Sequence, residues 1–97
     1  MPTEQTKSEK LDYRIIEIIN ASPATEIKVI IVLNRIPSPD IVNDISAMSG
    51  VSVVKVIPDI NVIKAKGKAR LFYEVASKNY VSHIILEEIL SKERENI

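Results

Sequence analysis

The sequence predicts an α+β domain, a single antiparallel sheet with helices packed on one side. Two observations carry that expectation. Segments of strand-like and helix-like pattern alternate in the order β-α-β-β-α-β. The middle pair of strands is separated only by Pro58-Asp59, a hairpin signal. A length of 97 residues gives room for one domain and one modest core.

Residues 1–7 are polar and expected to be disordered. From Ser8 to Asn20 a helix is expected, because Leu11, Ile15, Ile18 and Ile19 make one apolar stripe. Ser8 can cap it, and Ser22-Pro23 stops it, since proline disfavours helical geometry in the residue before it. The run IKVIIVL, residues 27–33, is β-branched and reads as the first strand. In SPDIVNDISAMSG, Ser38 is the expected cap, Pro39 the first helical residue, and Asp40 complements the helix dipole. Ile41, Ile45 and Met48 form its buried face, and Gly50 is expected to close it directly as the residue beyond the cap. VSVVKVI and INVIKAK make the hairpin, broken at Gly67. KARLFYEVASK carries Leu71, Phe72, Val75 and Ala76 on a helical face, and VSHIIL is the last strand. The whole is a ferredoxin-like β-α-β-β-α-β arrangement, four antiparallel strands with two helices on one face, preceded by an extra N-terminal helix.

Composition excludes several functional classes. Hydrophobic residues at 45% and charged residues at 27% fit a folded globular chain. Thirteen basic and 13 acidic residues balance, so there is no electrostatic footprint for nucleic acid. No apolar run approaches the roughly 20 residues that span a bilayer. The N-terminus, MPTEQTKSEK, has no apolar centre of a secretory signal, which makes a cytoplasmic location the expectation unless the chain is an excised propeptide of a secreted precursor. Without cysteine there is no disulfide and no thiolate chemistry.

Two helices on one face leave the other face of the sheet open. Alternation along the strands assigns Val29, Ile31, Leu33, Val54, Val56, Ile63 and Ala65 to the core. It assigns Lys28, Ile30, Val32, Val53, Lys55, Ile57, Ile60, Val62, Lys64 and Lys66 to the outer face. That face is lysine-rimmed with an aliphatic centre. Each exposed aliphatic forgoes roughly 1.5–3 kcal/mol of burial, so a patch of them favours a partner. Either the N-terminal helix folds beneath the sheet to cover it, or it is a docking surface.

Nothing in the chain reads as an enzyme, and no cofactor or metal is implied. His83 is the only histidine and suits a strand position better than a catalytic one. Asp40 and Asp44 at helical spacing suit a solvated face and the helix dipole. With only Gly50 and Gly67 there is no glycine-rich phosphate loop. Aromatics are missing from the open face, which disfavours base stacking.

The stretch from Lys10 to Glu88 resembles the propeptide (inhibitor) domain of subtilisin-like serine proteases, in particular archaeal and thermophilic versions. The resemblance lies in the short helix and "ASP" linker before IKVIIVL, the hairpin GVSVVKVIPDINVIKAKG, and the closing V-x-H-I…EE. It implies a protein inhibitor, and a folding chaperone, of a subtilisin-like protease. Such domains dock their open sheet face on two protease helices and lay the C-terminal tail product-like in the active-site cleft. The docking face implied here is Ile30, Val32, Val53 and Val62 with Lys55 and Lys64 at the rim. Glu87 and Glu88 would cap the protease helices, whose N-termini carry partial positive charge. Ile89, Leu90, Ser91, Lys92 and Glu93 would enter the cleft, so the expected division is a domain to residue 88 and a tail over 89–97. In many relatives the acids begin directly after the aliphatic matched by Ile84, whereas here Ile85 and Leu86 intervene and leave the tail register open. A second reading is a non-inhibitory module that forms a homodimer through its aliphatic face.

Overall fold

The computed structural model describes residues 7–91. A single turn α1 (Lys7–Lys10) and helix α2 (Tyr13–Ala21) precede strand β1 (Glu26–Leu33). Helix α3 (Pro39–Ser46), strand β2 (Ser52–Ile57), a short 3-10 turn at Pro58–Ile60 and strand β3 (Val62–Lys68) follow. Helix α4 (Leu71–Val75) and strand β4 (Val81–Ser91) complete the fold. The four-stranded sheet has the order β2-β3-β1-β4, every neighbour antiparallel. This is the expected ferredoxin-like α+β arrangement, with β1 and β3 at the centre.

Strand β1 shows why the sheet has two unlike faces. Its burial alternates strictly: Ile27, Val29, Ile31 and Leu33 are buried, and the residues between them are half-buried. Ile63 and Ala65 of β3 and Ile84 of β4 extend the buried side. Onto it pack Ile41 and Ile45 of α3 and Phe72 and Val75 of α4, all in one core. Ser38 caps α3 by accepting a hydrogen bond from Ile41 N at 3.3 Å, with Pro39 in the first turn. Tyr80, just before β4, donates a 2.6 Å hydrogen bond to Asp44 of α3, which also pairs with Lys78 at 3.2 Å. The tyrosine hydrogen bond, then Lys78, draws the Asp44 carboxyl below its usual value, while burial and Asp44 push the Tyr80 phenol up.

The N-terminal segment departs from a single helix over 8–20. It begins at Lys7 and then breaks, because Leu11 forms a parallel bridge with Ile84 along the outer edge of β4. Asp12 N donates to Ile84 O at 2.8 Å. The Asp12 carboxylate accepts from Arg14 N at 3.0 Å, capping α2, and from Leu86 N at 3.0 Å. Arg14 pairs with Asp12 at 2.6 Å and reaches Leu86 O at 3.3 Å. A helix cap thus also serves as the missing strand partner for part of the β4 edge. α2 ends as expected before Pro23, with Ser22 N donating to Ile18 O at 2.7 Å.

Both glycines have different roles from those expected. α3 is capped by Ala47, and Gly50 lies further on, at φ +87° in the turn into β2. Gly67 does not end β3, which runs on to Lys68. A Cβ on Gly67 would stand 2.7 Å from the Gly50 carbonyl oxygen, so the missing side chain lets that turn lie against the strand. The hairpin turn uses Asn61 at φ +56°, a left-handed conformation asparagine tolerates.

Two outcomes are expected. Gly67→Ala should destabilise the fold by about 1–3 kcal/mol in chemical denaturation, because a backbone carbonyl must move. Hydrogen bonding from Arg14, and from the Leu86 N–H against some burial, holds the Asp12 carboxyl down to about 2 from an ordinary 3.8. Its stabilisation is therefore complete above about pH 4 and is lost as pH falls through about 2, on the order of 1 kcal/mol after solvent screening. Asp12→Asn should be less stable at neutral pH and lose less on acidification, as thermal unfolding at pH 7 and pH 2 would show.

Candidate docking face

The open face is built from cross-strand rungs. At the hairpin end Ile57, Val62, Val32 and His83 lie side by side across the sheet. The next rung on this face is Lys55, Lys64, Ile30 and Ile85, and beyond it Ser52, Lys66, Lys28 and Glu88. The face therefore grades from aliphatic at one end to charged at the other. Ile60, in the 3-10 turn at the hairpin end, is 62% exposed, and Ile85 is 40% exposed in the middle rung. Val62 is buried although it lies on this face and outside the contiguous cluster beneath the helices.

No helix covers these rungs. Ile15 of α2 is fully buried in the same core as Phe72 and Ile45, so the N-terminal helix lies on the helix side of the sheet. The question left by the sequence is thereby answered: α2 does not fold beneath the sheet.

Ile30, Val32, Lys55, Val62 and Lys64 stand together on the open face, as expected. Val53 does not. A register shift between Val53 and Lys55 sets Val53 opposite Ala65 and packs it against the core. Val54, expected inside, is left out of register and 46% exposed. A bulge slips the alternation by one, which inverts the assignment of the residues before it. Ser52, opposite Lys66, takes the place on the face that Val53 vacates, and Ile57 stands on the face as expected.

The acidic pair is also on this face. Lys64 Nζ reaches over β1 to donate to Glu87 Oε2 at 3.3 Å, both side chains 28% exposed. Glu88 is opposite Lys28. β4 continues past them to Ser91, with Ile89 opposite Ile27 and Ser91 opposite Glu26. Ile89, Leu90 and Ser91 are thus part of the sheet, so the division between domain and tail at 88/89 falls inside a strand. Lys92 and Glu93 lie outside the described residues.

Other polar groups are used locally. Ser46 Oγ donates to Val42 O and Ser77 Oγ to Glu74 O, while His83 Nδ1 lies 2.9 Å from Ser82 Oγ. Among the described residues no cluster of His, Cys, Asp and Glu could hold a metal, and no helix is long and apolar enough to cross a membrane. A groove of about 440 Å³ runs between α2 and the end of β4, lined in part by Arg14, Ile18, Leu86 and Ile89. Comparison with known protein families, with characterised proteins and with solved structures finds no match.

Ile30→Thr combined with Ile85→Thr should lower binding of a solvatochromic apolar dye. It should cost less than about 1 kcal/mol of stability, since neither side chain belongs to the core.

Proposed function

We propose that this chain is an inhibitory docking domain for a subtilisin-like serine protease, able also to template that protease's folding. The observation that carries the reading is the bare sheet face: every described helix lies on the other side, while Val32, Ile57, Val62, Ile30 and Ile85 stay together on the open one. The resemblance of the sequence supplies the class of partner. Two helices of the protease would lie across these rungs and bury the aliphatic end. The exposed Lys64–Glu87 pair is worth less than about 1 kcal/mol and opens readily, which frees Glu87 to accept from a protease helix N-terminus. Because β4 holds Ile89 to Ser91 against β1, the product-like segment either follows Ser91 or requires those last rungs to part.

The pairing of Ile89 and Ser91 with β1 favours a second reading, a homodimer through the same face. With Ile89 and Ser91 paired in the chain's own sheet, that segment is less available for insertion elsewhere.

Titration against a subtilisin-type protease, following a chromogenic peptide, separates the two. Inhibition that is sustained, or relieved slowly as the chain is cleaved, is the expected result. Removing residues 92–97 should weaken it while leaving the sheet intact, a cleaner cut than one at Glu87, which would remove rungs of β4. Val32→Glu should weaken inhibition at least about tenfold through a buried unpaired charge, with little change in melting temperature. Absence of inhibition together with a concentration-dependent dimer in sedimentation would replace this reading by the second.

A further inference from the structure

We infer that the partner surface taken by the open face is an apolar helical ridge flanked on one side by carboxylates. The inference rests on the docking reading above for its site and adds the chemistry of the partner. Its basis is an arrangement of lysines that the fold itself does not need. Lys55 lies directly opposite Lys64, and Lys28 directly opposite Lys66, on adjoining rungs of one face. Like charges directly opposite across strands are destabilising. Among the described residues, Lys64 alone of these forms an ion pair, with Glu87 at 3.3 Å, and Lys28 has Glu88 opposite it, which leaves Lys55 and Lys66 without a carboxylate across from them.

Two ordinary explanations fall short. The chain as a whole is not basic, with 13 cationic and 13 acidic residues, so chance does not concentrate lysines here. Lysine on an edge strand deters strand addition, which accounts for Lys55 on β2. It does not account for Lys66 on the central strand β3, which faces Lys28 and Ser52, whereas Lys28 on β1 has Glu88 opposite it on β4. A negatively charged occupant accounts for Lys55 and Lys66, the member of each lysine pair with no carboxylate of the fold beside it.

The neighbouring rung decides what class of occupant. Val32, Ile57 and Val62 offer aliphatic contact, and the one ring in their rung is the His83 imidazole on the edge strand β4; Phe72 and Tyr80 are buried, and Tyr13 and Tyr73 belong to helices on the other side. A surface with a single ring, at its edge, lacks the row of stacking platforms that single-stranded nucleic acid uses and suits protein. Successive rungs on one face are about 7 Å apart, close to one helical turn of about 5.4 Å. A helix running along the strands would place leucine-like residues over the Val32 rung. Its glutamates or aspartates would then follow one and two turns on, over Lys64 and Lys66.

The test uses two synthetic helical peptides with the same leucine ridge, one flanked at those spacings by glutamate and the other by lysine. Each is titrated into the full chain by fluorescence anisotropy at low and high salt. The glutamate peptide should bind at least about tenfold tighter, and the preference should shrink with salt. Lys55→Glu and Lys66→Glu should each weaken it about threefold or more, yet leave melting temperature unchanged or raised, because each removes a like-charge rung. Equal binding of both peptides, no binding of the glutamate peptide, or preference for a single-stranded oligonucleotide would overturn the inference. Protease inhibition without glutamate preference would overturn this inference alone. Glutamate preference without protease inhibition would instead uphold it and remove the inhibitor reading.

Discussion

The Asp12 carboxylate is the constraint on which the layout of this molecule turns. One side chain caps α2, pairs with Arg14 and accepts the Leu86 N–H of β4. Those bonds decide where the N-terminal helix can go. With its capping residue tied to the edge of β4, α2 lays Ile15 into the common core rather than passing beneath the sheet. Had the segment been free of β4, its apolar stripe could have served either face. The open face stays open because a hydrogen-bonded corner has committed the helix elsewhere.

That commitment sets the energetic character of the domain. The covered side is a continuous core in which helices from three parts of the chain share the same strand residues. The other side keeps aliphatics half-exposed and lysines against lysines, at some cost to the isolated fold. Natural sheets tolerate such costs where a surface has other work, and here the cost is confined to one face. The core can therefore remain intact while the open face is altered.

Much of this was legible in the residues. The alternation in IKVIIVL gave β1 and its two faces correctly, and Ser38-Pro39 marked the start of α3. What failed shares one cause: the features depend on a partner segment distant in sequence. VSVVKVI alternates on paper, but the bulge at Val54 exists only through its pairing with β3, so Val53 was assigned to the wrong side. Gly67 looked like a breaker because the carbonyl of Gly50 that it accommodates is remote along the chain. Leu11 looked helical because its bridge to Ile84 lies across the whole fold. Ile85 was missed on the face since IIL carries no alternation, and the strand appeared to end at the acids, although Glu87 and Glu88 simply face the lysines. Local pattern reported periodicity and caps well; it could not report register.

The irregularity of the outer strands has a consequence for the molecule's life in a crowded solution. β4 spends more residues than β1 to cover the same rungs, with shifts near Val29, Leu33 and Ile27, and β2 carries its own shift at Val54. A strand that skips cannot present an even ladder of N–H and C=O groups to a neighbour. Both borders of the sheet are thus poor templates for stacking identical copies edge to edge, even though the chain is rich in the isoleucine and valine that favour fibrils. The same kinks that hid the register from the sequence protect an aliphatic, lysine-studded sheet from polymerising into cross-β aggregates.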